Sequence, residues 1–223
     1  MALGDAYASA AEYRTRVTKT SAADDTVIDE QLKAVSHYID SRTRRRDGFN
    51  QSAAVEARIY DIQCRPGRDA AFSTDWGRRL YLPDGIATLT GLIVKVDLNG
   101  DYDVADADET LTINTHFWAG PANAATGSDP RPFEFLDINP NNSVVSSWPE
   151  QRRALEITAK FGWPEIPEAI KELTVMITRQ VRDLQESGYT AAVQSLDQVV
   201  AESRELSLLM MNIERQYSLP PGF

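Results

Sequence analysis

Ala159-Lys160-Phe161-Gly162-Trp163-Pro164-Glu165-Ile166-Pro167-Glu168-Ala169-Ile170-Lys171-Glu172 is the stretch on which the fold turns. Up to Phe161 the residues alternate, Leu155-Glu-Ile-Thr-Ala-Lys-Phe161, as in a strand with one buried face. Beyond Pro164 the period changes. Ile170, Leu173, Ile177, Val181 and Leu184 recur at three- and four-residue spacings and predict an amphipathic helix that stops at Gly188. Pro167 suits the first turn, where its missing N–H costs nothing, and Glu168 stands at the positive end of the helix dipole. A strand therefore hands over to a helix within Gly-Trp-Pro.

Upstream of this junction, strand character extends back to Arg58. Arg58 to Cys64 loosely alternates, Ala87 to Val96 is rich in β-branched residues, Glu109 to His116 alternates in its middle, and Phe133 to Leu136 adds another short strand. Asn99-Gly100, between Val94-Lys95-Val96 and Tyr102-Asp103-Val104, predicts a two-residue hairpin turn. Asn139 to Ser143 is rich in turn formers, and Pro121 to Pro132 reads as a mobile loop.

Helical spacing governs both ends of the chain. Tyr7 to Val17 is a short amphipathic segment, and small polar residues follow at Thr18 to Ala23. Ile28, Leu32, Val35 and Ile39 then share a helix face, with Asp24, Asp25 and Thr26 as its cap. Near the C-terminus, Val193, Leu196, Val200, Leu206, Leu209, Met210 and Ile213 carry one last helix to Tyr217, and Pro220-Pro221 forbids its continuation. The order helix, helix, sheet, helix, helix predicts an α+β protein. A discontinuous α-helical domain of about four helices, from residues 1–54 and 162–223, carries an inserted antiparallel β module at 55–161.

Composition excludes several functions. The net charge is −10, with Met1 to Asn50 balanced and the acidic excess beyond it. Proteins that grip nucleic acid are usually basic, because neutralising phosphates supplies most of the affinity. No apolar run approaches membrane-spanning length, and Met1 to Ala11 lacks the pattern of a signal peptide, so a protein made and kept in the cytoplasm, away from membranes, is expected. The single cysteine, Cys64, can form neither an internal disulfide nor a multi-cysteine metal site, and reads as a small buried hydrophobe rather than a nucleophile.

Catalytic patterns are missing. There is no Gly-rich phosphate loop, no Gly-x-Ser-x-Gly, no His-Glu-x-x-His and no Cys-x-x-Cys, and the two histidines, His37 and His116, read as structural. No catalytic residue, cofactor or metal is expected, and the chain does not read as an enzyme. Asp97-Leu-Asn-Gly-Asp101 begins like a calcium loop, but Tyr102 stands where such a loop carries glycine and a strand rather than a helix follows, so an acidic hairpin is expected instead.

Tyr7-Ala-Ser-Ala-Ala-Glu12-Tyr13, the helix from Asp24 to Arg44, and above all Ala159-Lys-Phe-Gly162-Trp-Pro164-Glu-Ile-Pro167-Glu-Ala-Ile-Lys-Glu172 resemble the head-to-tail adaptor family of long-tailed bacteriophages. The similarity spans most of the chain outside Pro121 to Pro132, whereas Tyr189 to Arg204 matches none of its motifs. The resemblance implies a structural virion protein in the neck, assembled in the host cytoplasm. It implies a homo-oligomeric ring, twelvefold, between the portal and the next tail-joining protein, lining the channel for double-stranded DNA without binding it specifically. An acidic surface suits such a conduit, since a basic lining would hold the phosphates.

Two sets of residues are candidates for partner contacts. Arg42, Arg44, Arg45 and Arg46 either compensate the helix dipole on a solvated face or present a patch to DNA or a partner. Tyr217, Leu219, Pro220, Pro221 and Phe223 form either an extended docking arm or a frayed terminus. The alternative function is a small-molecule or glycan binding module using Trp76, Trp118, Trp148, Trp163, Tyr81 and Phe117 as stacking platforms.

Overall fold

The computed structural model describes residues 6–17, 24–45, 48–63, 70–74, 77–104, 106, 109–127, 130–141, 145–186 and 196–218. The protein is α+β: helices from both ends of the chain pack together and a β-sheet is inserted between them. The described residues up to Asn50 and from Ile166 to Ser218 form one compact unit, and Gln51–Glu165 form the other, slightly wider than the expected module.

The helical unit begins with α1 (Ala10–Arg16), held by a capping box in which Ser9 Oγ accepts the Glu12 amide and the Glu12 carboxylate accepts the Ser9 amide at 2.7 Å. α2 (Asp25–Thr43) buries Ile28, Leu32, Val35 and Ile39, the face read from their spacing. Its expected Asp24 cap makes no side-chain hydrogen bond to the helix; the Asp24 carboxylate lies 3.4 Å from Arg182 instead. α3 (Glu168–Glu186) buries Ile170, Leu173 and Ile177, together with Thr174 and Thr178. Those two hydroxyls donate to the carbonyls of Ile170 and Thr174 at 2.7 and 2.8 Å, which lets them lie out of water. The single last helix is corrected to two, α4 (Leu196–Glu202) and α5 (Arg204–Tyr217), making five among the described residues. Ser203 separates them, because its backbone is extended and its hydroxyl accepts the Leu206 amide to cap α5.

The β unit contains β1 (Glu56–Gln63), β2 (Ala70–Thr74), β3 (Arg79–Val96), β4 (Thr110–Leu111), β5 (Phe117–Gly120), β6 (Phe133–Ile138) and β7 (Leu155–Phe161). Their order is β2-β1-β7-β3-β6-β5, with β4 beside β3. β2 pairs with both β1 and β3, so the pairings β1–β7, β7–β3, β3–β2 and β2–β1 close on themselves. One pairing departs from the antiparallel expectation: β1 and β2 run parallel, with Asp61 opposite Ala70. β3 makes the closure possible. Its register shifts between Ile86 and Thr88 and again before Ile93, so the first half pairs with β2 and β6 and the second with β7 and β4. Leu80, Ile86, Val94, Leu136, Leu155, Ile157 and Phe161 fill the core, and Trp148 satisfies its indole N–H on the Arg78 carbonyl at 2.9 Å.

The expected Asn99-Gly100 hairpin is also corrected. β3 ends at Val96 and its partner is β4, with Val94 opposite Leu111, so a wide loop from Asp97 to Glu109 separates them. Asp97 is the reason: its carboxylate accepts the amides of Gly100 at 2.6 Å and Tyr102 at 2.9 Å, winding the chain around itself before it can return. The strand expected at Glu109 to His116 shrinks to Thr110–Leu111, because His116 Nδ1 accepts the Thr112 amide at 2.8 Å and closes a turn. Within Pro121 to Pro132, the Arg131 amide donates to Ala124 at 2.7 Å and Ala124 is buried. Cys64 and Thr18 to Ala23 lie outside the described residues. No helix among the described residues is long and apolar enough to cross a membrane.

The chain enters and leaves the β unit at one place. Ser52 N–H donates to the Phe161 carbonyl at 2.8 Å, and Phe161 N–H donates to Ser52 Oγ at 2.9 Å. Adjacent crossings are what an insertion requires, since its removal leaves two ends that a short linker can join.

Candidate functional site

Of the arginines around the end of α2, Arg42 and Arg45 are engaged within the helical unit. Arg42 meets Glu214 of α5 at 2.6 Å and Asp197 of α4 at 3.4 Å. Tyr38 donates to the same Asp197 at 3.0 Å, and burial followed by that bond pushes its phenol up to about 12. Arg45 Nε donates to the Tyr217 carbonyl at 2.8 Å, and its guanidinium lies 5.2 Å from the centre of the Phe49 ring. Arg44 ends α2 in the left-handed conformation, φ 59°, with its side chain exposed, and Arg46 is outside the described residues. Arg42 and Arg45 thus hold α4 and α5 against α2. Partly exposed pairs of this kind contribute up to about 1 kcal/mol each.

Tyr217 corrects the docking-arm expectation. It is the last residue of α5, only 3% exposed, and its ring meets Phe49 edge-on at 5.7 Å. Tyr217 is at once the last residue of the expected helix and the first of the expected arm, and burial at the end of α5 places it in the core. Leu219, Pro220, Pro221 and Phe223 lie outside the described residues.

The aromatic residues are dispersed. Phe117, Trp148 and Trp163 are buried, and Trp76 lies outside the described residues. Trp118 and Tyr81 do share a surface. Trp118 pairs with Asp137, which pairs with Arg79; in the next row on the same face, Gly120 pairs with Phe135 and Phe135 with Tyr81. Arg79 holds Asp137 through two bonds of 2.7 and 2.8 Å and stacks 4.1 Å over Phe135. Gly120 leaves room for the Phe135 ring, since a Cβ there would stand 2.2 Å from it. Sequence reading missed Arg79, Phe135 and Asp137 because only register shows that they face outward beside Trp118.

In the loop after β3, Asp97, Asp101 and Glu109 bring carboxylate oxygens within 4.8 Å of one another, and they are the group among the described residues that could hold a metal. Tyr102 takes φ 67° there, so the left-handed residue of a calcium loop is supplied without glycine. The buried carboxylates already have donors. Asp97 accepts two loop amides and Gln151 Nε2 at 2.8 Å, and Glu109 accepts the amides of Leu98 and Asp106 at 3.3 and 3.2 Å.

A pocket of about 450 Å³ lies among Tyr7, Ser9, Glu12, Asp29, Lys33 and Lys171. Glu12 is committed to the capping box and Asp29 to the Ala10 amide at 3.1 Å, so its acidic groups serve the start of α1. No protein-family model matches the sequence, and no curated protein is significantly similar to it.

Proposed function

We infer that the chain is a head-to-tail adaptor, a structural protein of a phage neck rather than an enzyme. The observation that carries this reading is the organisation of the chain: helices from both ends that pack together, a β module inserted between them in the chain order, and β7 passing through Gly162-Trp163-Pro164 into α3. In the adaptor family that these residues resemble, a closing strand runs through Phe-Gly-Trp-Pro into a helix start, and a β module can be inserted between the central helices. A head-to-tail contact between different surfaces closes into a ring when the rotation per subunit is right, and a twelvefold ring would match a portal above and a tail-joining protein below. The net charge of −10 suits a channel through which DNA slides.

Size-exclusion chromatography with light scattering, alone and with the portal of the same phage, followed by imaging of the particle, tests this. Rings or portal-bound oligomers at the neck are expected. A strict monomer that ignores the portal and is missing from particles overturns the reading. In that case the outward face of Trp118, Tyr81, Phe135, Arg79 and Asp137 favours a glycan or small-molecule binding module, because stacking rings beside a paired guanidinium and carboxylate suit a hydroxylated ring.

A further inference from the structure

The inferred adaptor function makes no use of a cluster of partly buried titratable side chains in the helical unit. Asp40 stands in the last turn of α2, where the helix dipole is unfavourable to a carboxylate. The Tyr7 hydroxyl donates to Asp40 Oδ1 and accepts the Phe49 amide at 2.9 Å, while the Tyr7 amide donates to Ser36 Oγ at 3.0 Å. His37 Nδ1 lies 3.9 Å from Asp40 Oδ2. Gly48 closes over the pair with φ 65°, and a Cβ there would stand 2.3 Å from the Tyr7 hydroxyl and 2.9 Å from Asp40 Oδ1. The carboxylate is thus largely covered by the segment leading into α1 and the Gly48–Phe49 turn. His37 and Arg45 are the ionisable groups of α2 and its following residues that face it, and Arg45 is also bound to the Tyr217 carbonyl.

We propose that Tyr7 and Asp40 form a proton-operated latch, in which uptake of one proton by Asp40 tightens the hold of residues 6–16 on α2 and its loss loosens that hold. The cost of ionising a carboxylate out of water drives it. Burial raises Asp40 from 3.8 to about 6, against the opposing pulls of the Tyr7 hydroxyl, His37 and Arg45. When the segment swings away, the carboxylate returns to water and to its ordinary range. The folded value is the higher one, so the added hold is complete below about 4 and disappears as pH rises through about 6. A two-unit difference corresponds to at most about a hundredfold change in the opening equilibrium over the whole range, of which the step from pH 5 to pH 8 sweeps about tenfold.

Hydrogen exchange of the full chain, with rates corrected for the intrinsic effect of pH, reads the latch directly. The peptide covering residues 6–16 should lose about tenfold in protection between pH 5 and pH 8, while α3 keeps its protection. Asp40→Asn places a neutral isostere in the site and should hold that peptide at the pH 5 level throughout. A carbon-detected titration of Asp40 should show its midpoint near pH 6. Equal protection at both pH values, the same loss in Asp40→Asn, or an unfolded Asp40→Asn would each overturn the proposal, because a site that favours the neutral form accepts the amide.

Discussion

Tyr217 provides the sharpest test of where the folded protein ends. Two truncations differ by two residues, one ending at Ser218 and one at Gln216. Burying a tyrosine removes about 150–250 Å² from water, which at about 25 cal/mol per Å² is worth up to about 4–6 kcal/mol. The edge-on contact with Phe49 at 5.7 Å belongs to this sum, and removing large buried aromatics typically costs about 3–5 kcal/mol. Set against a total stability of about 5–15 kcal/mol, such a loss lowers the melting temperature of a domain of roughly 100 residues by about 15–30 °C. Urea and thermal unfolding, followed by circular dichroism at about 222 nm as the helical signal, should show the Ser218 truncation close to the full chain and the Gln216 truncation far below it. A difference under about 1 kcal/mol between them would refute the assignment of Tyr217 to the core. The Ser218 truncation then isolates Leu219 to Phe223 for assembly. If the chain is the adaptor inferred above and those residues dock, neck assembly weakens while folding does not, and particles that attach tails normally would end that idea.

Replacing residues 51–165 by a short Gly/Ser linker should leave a helical unit that unfolds cooperatively, because Ser52 and Phe161 bring the two crossings within hydrogen-bonding distance; a molten product would mean that the two units need one another. Calorimetric titration with calcium should give a dissociation constant weaker than about 10 μM, since Asp97 and Glu109 already accept loop amides, and a tighter value would contradict this reading. Gly120→Ala should destabilise the β unit by about 1–3 kcal/mol, because the new methyl strikes the Phe135 ring; an unchanged urea midpoint would show that the ring moves aside freely.

Local periodicity determined much of this protein. The change of period across Phe161-Gly162-Trp163-Pro164 located β7 and α3, and the spacing of Ile28, Leu32, Val35 and Ile39 named the buried face of α2. These features depend on neighbours within one or two turns, which the sequence displays directly. From them followed the α+β class and the insertion of a β unit between helices. The candidate partner residues were less legible: Arg42 and Arg45 look like free cations until Asp197, Glu214 and the Tyr217 carbonyl are brought beside them from far along the chain.

What tertiary structure decided was register, closure and the fate of particular polar atoms. The parallel β1–β2 pairing and the bent β3 close the sheet through long-range partners that no window of sequence contains. Asp97 overrode the Asn-Gly turn signal because one carboxylate, also held by Gln151, captured two amides that a hairpin would have used elsewhere. Tyr217 became core because Phe49, from the other end of the chain, stands against it. Periodicity says which side of an element is apolar, but burial depends on what arrives to cover that side, and only the assembled fold supplies it.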